Sequence, residues 1–148
     1  MAKFEFRLAT LMRLRENHRD ELRGKLAEAY QAEQLLAEKK QSIHEEEDKL
    51  HQLRRDLLQE ANTDVNRLLD MQRYAATLKA QLATIQEQAK MLSAEVEKRR
   101  LAVVQADQQV KVLEKLRDKQ LSKHRQQKML AEAKELDEIG SRTVRASI

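Results

Sequence analysis

The 148-residue chain has no Cys, Pro or Trp and only two Gly, with 36% charged residues, 41% apolar residues and a net charge of +4. The absence of cysteine excludes a disulfide framework, a thiolate metal site and a thiol nucleophile. Aromatics at 3% leave too few rings for an ordinary globular core. The rest, rich in Leu, Ala, Gln, Glu, Lys and Arg, is the composition of long helices and coiled coils. No apolar run approaches the roughly 20 residues needed to span a bilayer, so no direct membrane insertion is expected. The segment Met1–Arg7 lacks the apolar core of a secretory signal, and the expected location is the cytoplasm.

The first predicted element is a helix over about residues 3–60. Stepping by seven from Leu8 gives Leu8, Arg15, Leu22, Ala29, Leu36, Ile43, Leu50 and Leu57, apolar at every position but Arg15. The row three residues on (Leu11, His18, Lys25, Ala32, Lys39, Glu46, Leu53, Glu60) is weaker and is expected to be a patchy second seam row, as suits a two-stranded contact. Gly24 lies inside this helix and costs it about 1 kcal/mol relative to Ala. It reads either as a point of close packing or as a flexible point for docking.

The tip is expected at about 61–64. Leu57 and Leu68, the end and start of two apolar registers, are eleven residues apart, and a single helix would need a four-residue stutter to join them. Between them, Asn62-Thr63-Asp64 competes with helical hydrogen bonds and favours a cap, with Thr63 or Asp64 as the N-cap of a second helix. That helix is predicted over about 65–140. Its seam row is Leu68, Met71, Ala75, Leu78, Leu82, Ile85, Ala89, Leu92, Val96, Arg99, Val103, Ala106, Val110 and Leu113, with Arg99 the one polar residue. A sustained period of 3.5 implies a left-handed supercoil. After Leu113 the stripe slips to Leu116 and Leu121 and then thins to Met129, Leu130, Leu136 and Ile139. Gly140 is expected to stop the helix and residues 141–148 to fray.

The fold class is therefore all-α, a single long antiparallel two-helix coiled coil in which residue i faces about 126 − i. The chain supplies both strands of its own seam, which predicts a monomer. On this pairing Arg15 meets Lys111, and two like charges would weaken the seam there.

Charge is sorted along the chain. Residues 1–25 carry +3 and residues 98–128 carry +7, and the hairpin sets these side by side; residues 28–97 carry −5. Ordinary helix faces mix signs, so this sorting points to two different partners. Nucleic acid is disfavoured, because no basic arm, stacking aromatic or zipper-plus-basic region accompanies the cations. A curved membrane-binding dimer would need its basic residues along one face. No phosphate loop or nucleophile elbow occurs. Of His18, His44, His51 and His124, no two stand at i,i+4. A thin hairpin encloses no substrate pocket, so neither an enzyme nor a cofactor is expected. The rival to a two-partner rod is a structural coiled-coil scaffold that self-associates.

The opening Phe4-Glu5-Phe6-Arg7-Leu8, continuing through Leu11, Leu14, Arg15 and Glu16, resembles the start of the FliJ family, small coiled-coil proteins of the bacterial flagellar type III export apparatus. Gln72, Tyr74 and Leu78 resemble the start of the family's second helix. Val112–Gln120 is similar to its C-terminal signature, and Lys134–Ile139 to its charged close. The resemblance implies a fold like the central γ stalk of rotary ATPases. It implies a non-enzymatic protein, peripheral at the cytoplasmic face of the membrane, that enters the flagellar export ATPase ring and promotes its assembly and activity. It further implies contact with the cytoplasmic part of the membrane export-gate protein and escort of unloaded export chaperones. On this reading the ring contacts are Arg13, Arg15, Arg19, Lys111, Lys115, Arg117 and Lys119, with Glu135, Asp137 and Glu138. Some relatives carry aromatics on helix 1 near the tip; none occurs here between Tyr30 and Tyr74, and the gate contacts expected are Tyr74 and Leu78.

Overall fold

The computed structural model describes residues 3–62 and 64–147. Two helices, α1 (Ala9–Gln59) and α2 (Val65–Ala146), account for nearly all of them, and they pair as an α-hairpin coiled coil. The residues group into two compact units, Met1–Glu21 with Val104–Ile148 (the terminal unit) and Leu22–Val103 (the turn unit). Within each the helices run antiparallel: Met12 meets Arg117 in the terminal unit, and Glu46 meets Tyr74 in the turn unit. Against the expected pairing of i with about 126 − i, the first contact is displaced by three residues and the second by six.

The first helix starts later than its composition indicates. Phe4, Phe6 and Leu8 are half-buried while Lys3, Glu5 and Arg7 are exposed. That alternation of period two belongs to extended chain; in a helix, residues two apart point to opposing faces. Burial of both rings and Leu8 therefore holds the segment out of α1. A turn closes it, with the Ala9 N–H donating to the Phe6 carbonyl at 3.1 Å.

At the tip Asp64 caps α2. Its Oδ1 accepts from the Asn66 N–H at 3.0 Å, which satisfies one of the amides that a helix start leaves unpaired. Thr63, the other cap expected, lies outside the described residues. At the far end α2 does not stop at Gly140 but runs to Ala146. Gly140 has no positive φ, so it is an ordinary helical residue and not a left-handed terminator. Gly24 is likewise helical, and an added Cβ would meet nothing within 4 Å. Close packing is not its role.

The seam itself contains one correction. The row Leu22, Leu36, Ile43, Leu50 and Leu57 of α1 is buried or half-buried, and so are Leu78, Leu82, Ile85, Leu92, Val96, Val103 and Val110 of α2. Leu78 and Val110 are closed off completely, each contributing roughly 1.5–3 kcal/mol of burial. The second row of α1, however, lies four residues on and not three. Met12, Arg19, Leu26, Glu33 and Glu47 are buried or half-buried, although Lys40 and Arg54 of the same row are exposed; of the row three residues on only Ala32 is half-buried, and Leu11 and Leu53 are exposed. A row of period seven has two possible companions, and the apolar Leu11, Ala32 and Leu53 favour the wrong one. The true companion row is largely charged, and its long stems cover the seam while the heads reach water.

Candidate partner-binding surfaces

The terminal unit collects the cations singled out for a partner. Arg19 reaches Asp107 Oδ1 at 3.7 Å and Asp20 Oδ1 at 3.4 Å, and Lys111 reaches Asp107 Oδ2 at 3.0 Å. Arg15 does not collide with Lys111. Its Nη1 donates to Gln109 Oε1 at 2.9 Å, while Lys111 turns back one helical turn to Asp107. An amide acceptor for Arg15 and a carboxylate for Lys111 thus replace the expected like-charge contact. Arg117 stands over Met12, its Nη1 3.9 Å from the Sδ, and its Nε is 3.7 Å from Asp118; its stem is seam packing. Arg13, Lys115 and Lys119 are exposed. The stripe persists past Leu113 through Leu116, Arg117, Leu121 and His124, all half-buried. Phe4 packs on His124, ring centroids 5.7 Å apart. Every described residue after His124 is exposed, including Glu135, Asp137, Glu138 and the apolar Met129, Leu130, Leu136 and Ile139.

In the turn unit, Tyr74 is half exposed and its hydroxyl donates to Glu46 Oε2 at 2.6 Å. That bond, with the charge of the carboxylate, holds the phenol above its ordinary pKa. Leu78 is 1% exposed. It can pack the seam but cannot present a contact surface, so of the two expected gate residues only Tyr74 offers one. The family whose description is flagellar FliJ protein matches residues 4–147 of the chain.

The chain belongs to the FliJ family.

No curated protein and no solved structure matches it. FliJ proteins are components of the flagellar export apparatus, structural and not catalytic in kind. Among the described residues of this family member, no helix is long and apolar enough to cross a membrane. His44 Nδ1 lies 3.4 Å from Glu47 Oε2, a local pair on one helix turn.

Four residues of this FliJ chain carry contacts that its sequence does not advertise. Arg99, the odd member of the α2 row, donates through Nη1 to the Lys25 carbonyl at 2.6 Å and through Nε to Glu95 at 2.9 Å. A guanidinium can occupy a seam position when a backbone oxygen and a carboxylate both accept from it. Asp107 and Gln109 take the charges of the terminal unit. His124 receives Phe4; the signal for that contact is the period-two alternation of the N-terminal segment. Beside the seam, Arg100 grips Glu97 at 2.7 Å and holds that carboxyl below the usual carboxylate range, against some desolvation.

Proposed function

We propose that this FliJ protein is the stalk of the flagellar export apparatus, its terminal unit entering the ring of the export ATPase and promoting ring assembly and activity. The turn unit, on the same reading, faces the cytoplasmic part of the membrane export gate, with unloaded export chaperones as additional cargo. The protein sits at the cytoplasmic face of the membrane at the flagellar base and is a monomer when alone. The observation that carries this is the terminal unit: cations on both helices around Asp107 and Gln109, followed by a helical stretch from residue 125 to 146 with every side chain exposed. Exposed cations offer an acidic lumen many weak contacts, which set association rate and register more than affinity. Glu135, Asp137 and Glu138 lie on the same stretch and would meet basic positions of the ring.

The test is co-purification with the export ATPase followed by an activity assay across salt. Stimulation should fall as salt rises, the Debye length being about 8 Å at physiological ionic strength. Lys115→Glu with Lys119→Glu should reduce stimulation at unchanged helicity; both residues are exposed, whereas Arg117 packs on Met12. Full stimulation by the double variant refutes this orientation. The exposed Met129, Leu136 and Ile139 favour one rival, a self-associating scaffold. Sedimentation of the isolated protein as a dimer or larger would support the scaffold and sink the stalk.

A further inference from the structure

The turn unit carries a groove of about 510 Å³ between its helices, floored by Ile43 and Ile85 and walled by Ser42, Thr77, Ala80 and Thr84 together with Lys39, Gln81 and Gln88. The two threonines of its wall make no polar demand. The Thr77 hydroxyl donates to the Arg73 carbonyl and the Thr84 hydroxyl to the Ala80 carbonyl, both at 3.1 Å, which leaves the two methyl groups as the available surface. Large apolar side chains mark the groove's ends. Leu35 is seven residues before Ser42, and Met91 seven after Thr84, so each shares the flank of its wall residue; they are 59% and 71% exposed. At the other end stands Tyr74, held by Glu46. From Thr77 to Met91 the groove runs about 21 Å at 1.5 Å per residue, four turns of a helix.

Charge identifies the occupant. At spacings of three, four or seven from Ser42, Thr77, Ala80 and Thr84 stand Glu38, Glu45 and Glu46 of α1 and Asp70 and Glu87 of α2, against the cations Lys49, Arg73 and Lys39, the last a lining residue of the groove. Five carboxylates against three cations, around an apolar floor, complement a basic helix with an aliphatic stripe. We propose that this groove takes a cationic amphipathic helix of a partner as a third strand. The helix lays its apolar stripe over Ile43 and Ile85 between Tyr74 and the Leu35–Met91 pair, with its lysines or arginines against the acidic rims. A single helix of four turns buries less than a standard interface, which gives a transient, micromolar encounter. The groove chemistry stands on the residues above; only the naming of the export gate as the donor of that helix rests on the reading under Proposed function.

The full-length protein is titrated into a fluorescent 21-residue peptide with aliphatic residues at heptad a and d positions and lysines elsewhere, and into its glutamate counterpart. The lysine peptide should bind and the glutamate peptide should not. Ala80→Gln fills the groove from an exposed helical position and should weaken binding about tenfold or more. Ala37→Gln changes the opposite flank, in the smaller groove beside Ala89, and should leave binding within about twofold. Both variants should keep the parent's helicity. The proposal is overturned if the lysine peptide does not bind, if both peptides bind alike, or if the two variants lose binding equally, which would mean attraction by net charge alone. The gate's cytoplasmic domain is then the second probe. Loss of its binding in Ala80→Gln alone assigns it as the donor. Undiminished gate binding beside the expected peptide results leaves the groove standing and refutes the gate as its occupant.

Discussion

Replacing Gly24 by alanine should stabilise this protein, and the size of the gain follows from the structure. Gly24 lies inside α1 at an exposed position, with a helical φ and nothing within 4 Å of where a Cβ would stand. No steric cost therefore opposes the change. The gain comes from the backbone freedom that glycine keeps in the unfolded chain and loses on folding, about 0.5–1 kcal/mol. For a chain of this size that is a rise of about 1–4 °C in the midpoint of a circular-dichroism melt. Gly140→Ala is the informative partner experiment. The local chemistry is the same, and again nothing lies within 4 Å. But the surrounding stretch of α2 is exposed on every side, so the added propensity should raise helical ellipticity without moving the main transition. A fall in the midpoint for Gly24→Ala would show that the glycine is closely packed or that α1 is not helical through residue 24. An equal rise from Gly140→Ala would show that residues 125–146 melt cooperatively with the seam.

The seam rows can be separated by one pair of substitutions. Leu57→Ala, at 5% exposure, should cost about 2–3 kcal/mol in urea unfolding, the low end for a buried leucine because a two-stranded seam can collapse into the gap. Leu53→Ala, at 54% exposure, should change stability by less than about 0.5 kcal/mol; a larger loss at Leu53 would return the seam to the row three residues on. The Tyr74–Glu46 bond predicts a titration. In a Tyr30→Phe background the phenolate absorbance should rise at a pH above the ordinary tyrosine value of 10.0, and Glu46→Gln should bring it down. The sign follows from a raised pKa: the bond contributes while the phenol keeps its proton, fully below the ordinary value, and is lost as pH rises through the folded one. An identical titration with and without Glu46 would refute the contact.

The legible parts of the fold were those where one row of side chains decides the outcome alone. The α2 row from Leu68 to Leu113 is apolar at all but one position, and any register that exposed it would leave most of the protein's apolar surface in water. The antiparallel pairing followed from that row together with the cap chemistry around Asp64. The second row of α1 was not legible, because a row of period seven permits a companion at either three or four residues, and only the position of α2 selects between them. Leu11 and Leu53 pulled the reading one way, while the stems of Arg19, Glu33 and Glu47 cover the seam in fact. The start of α1 was lost for a related reason. Phe4, Phe6 and Leu8 fit the apolar count of a helix, but their spacing of two is that of an extended segment, and the half-buried surface of α2 around His124 makes the extended form the one that buries them.

The charged surfaces show the same limit more sharply, and it bears on how partner contacts should be tested. Spacing places a Cα to within a residue or two but says little about the head of an arginine or lysine, which sits several bonds away and goes where it is best accepted. Arg15 and Lys111 face each other by register, yet Gln109 takes one and Asp107 the other. Arg99 interrupts an apolar row and reaches the Lys25 carbonyl across the seam. Arg15 and Arg99 already tie the two helices together, so reversing either would lower partner binding by loosening the hairpin even if it never touched a partner. Lys115 and Lys119 are exposed, and among the described residues no hydrogen bond or ion pair between the helices involves either. A loss of ATPase stimulation at those two positions, with helicity and melting unchanged, therefore reports on a partner, whereas the same loss at Arg15, Arg19 or Arg117 would report on the fold.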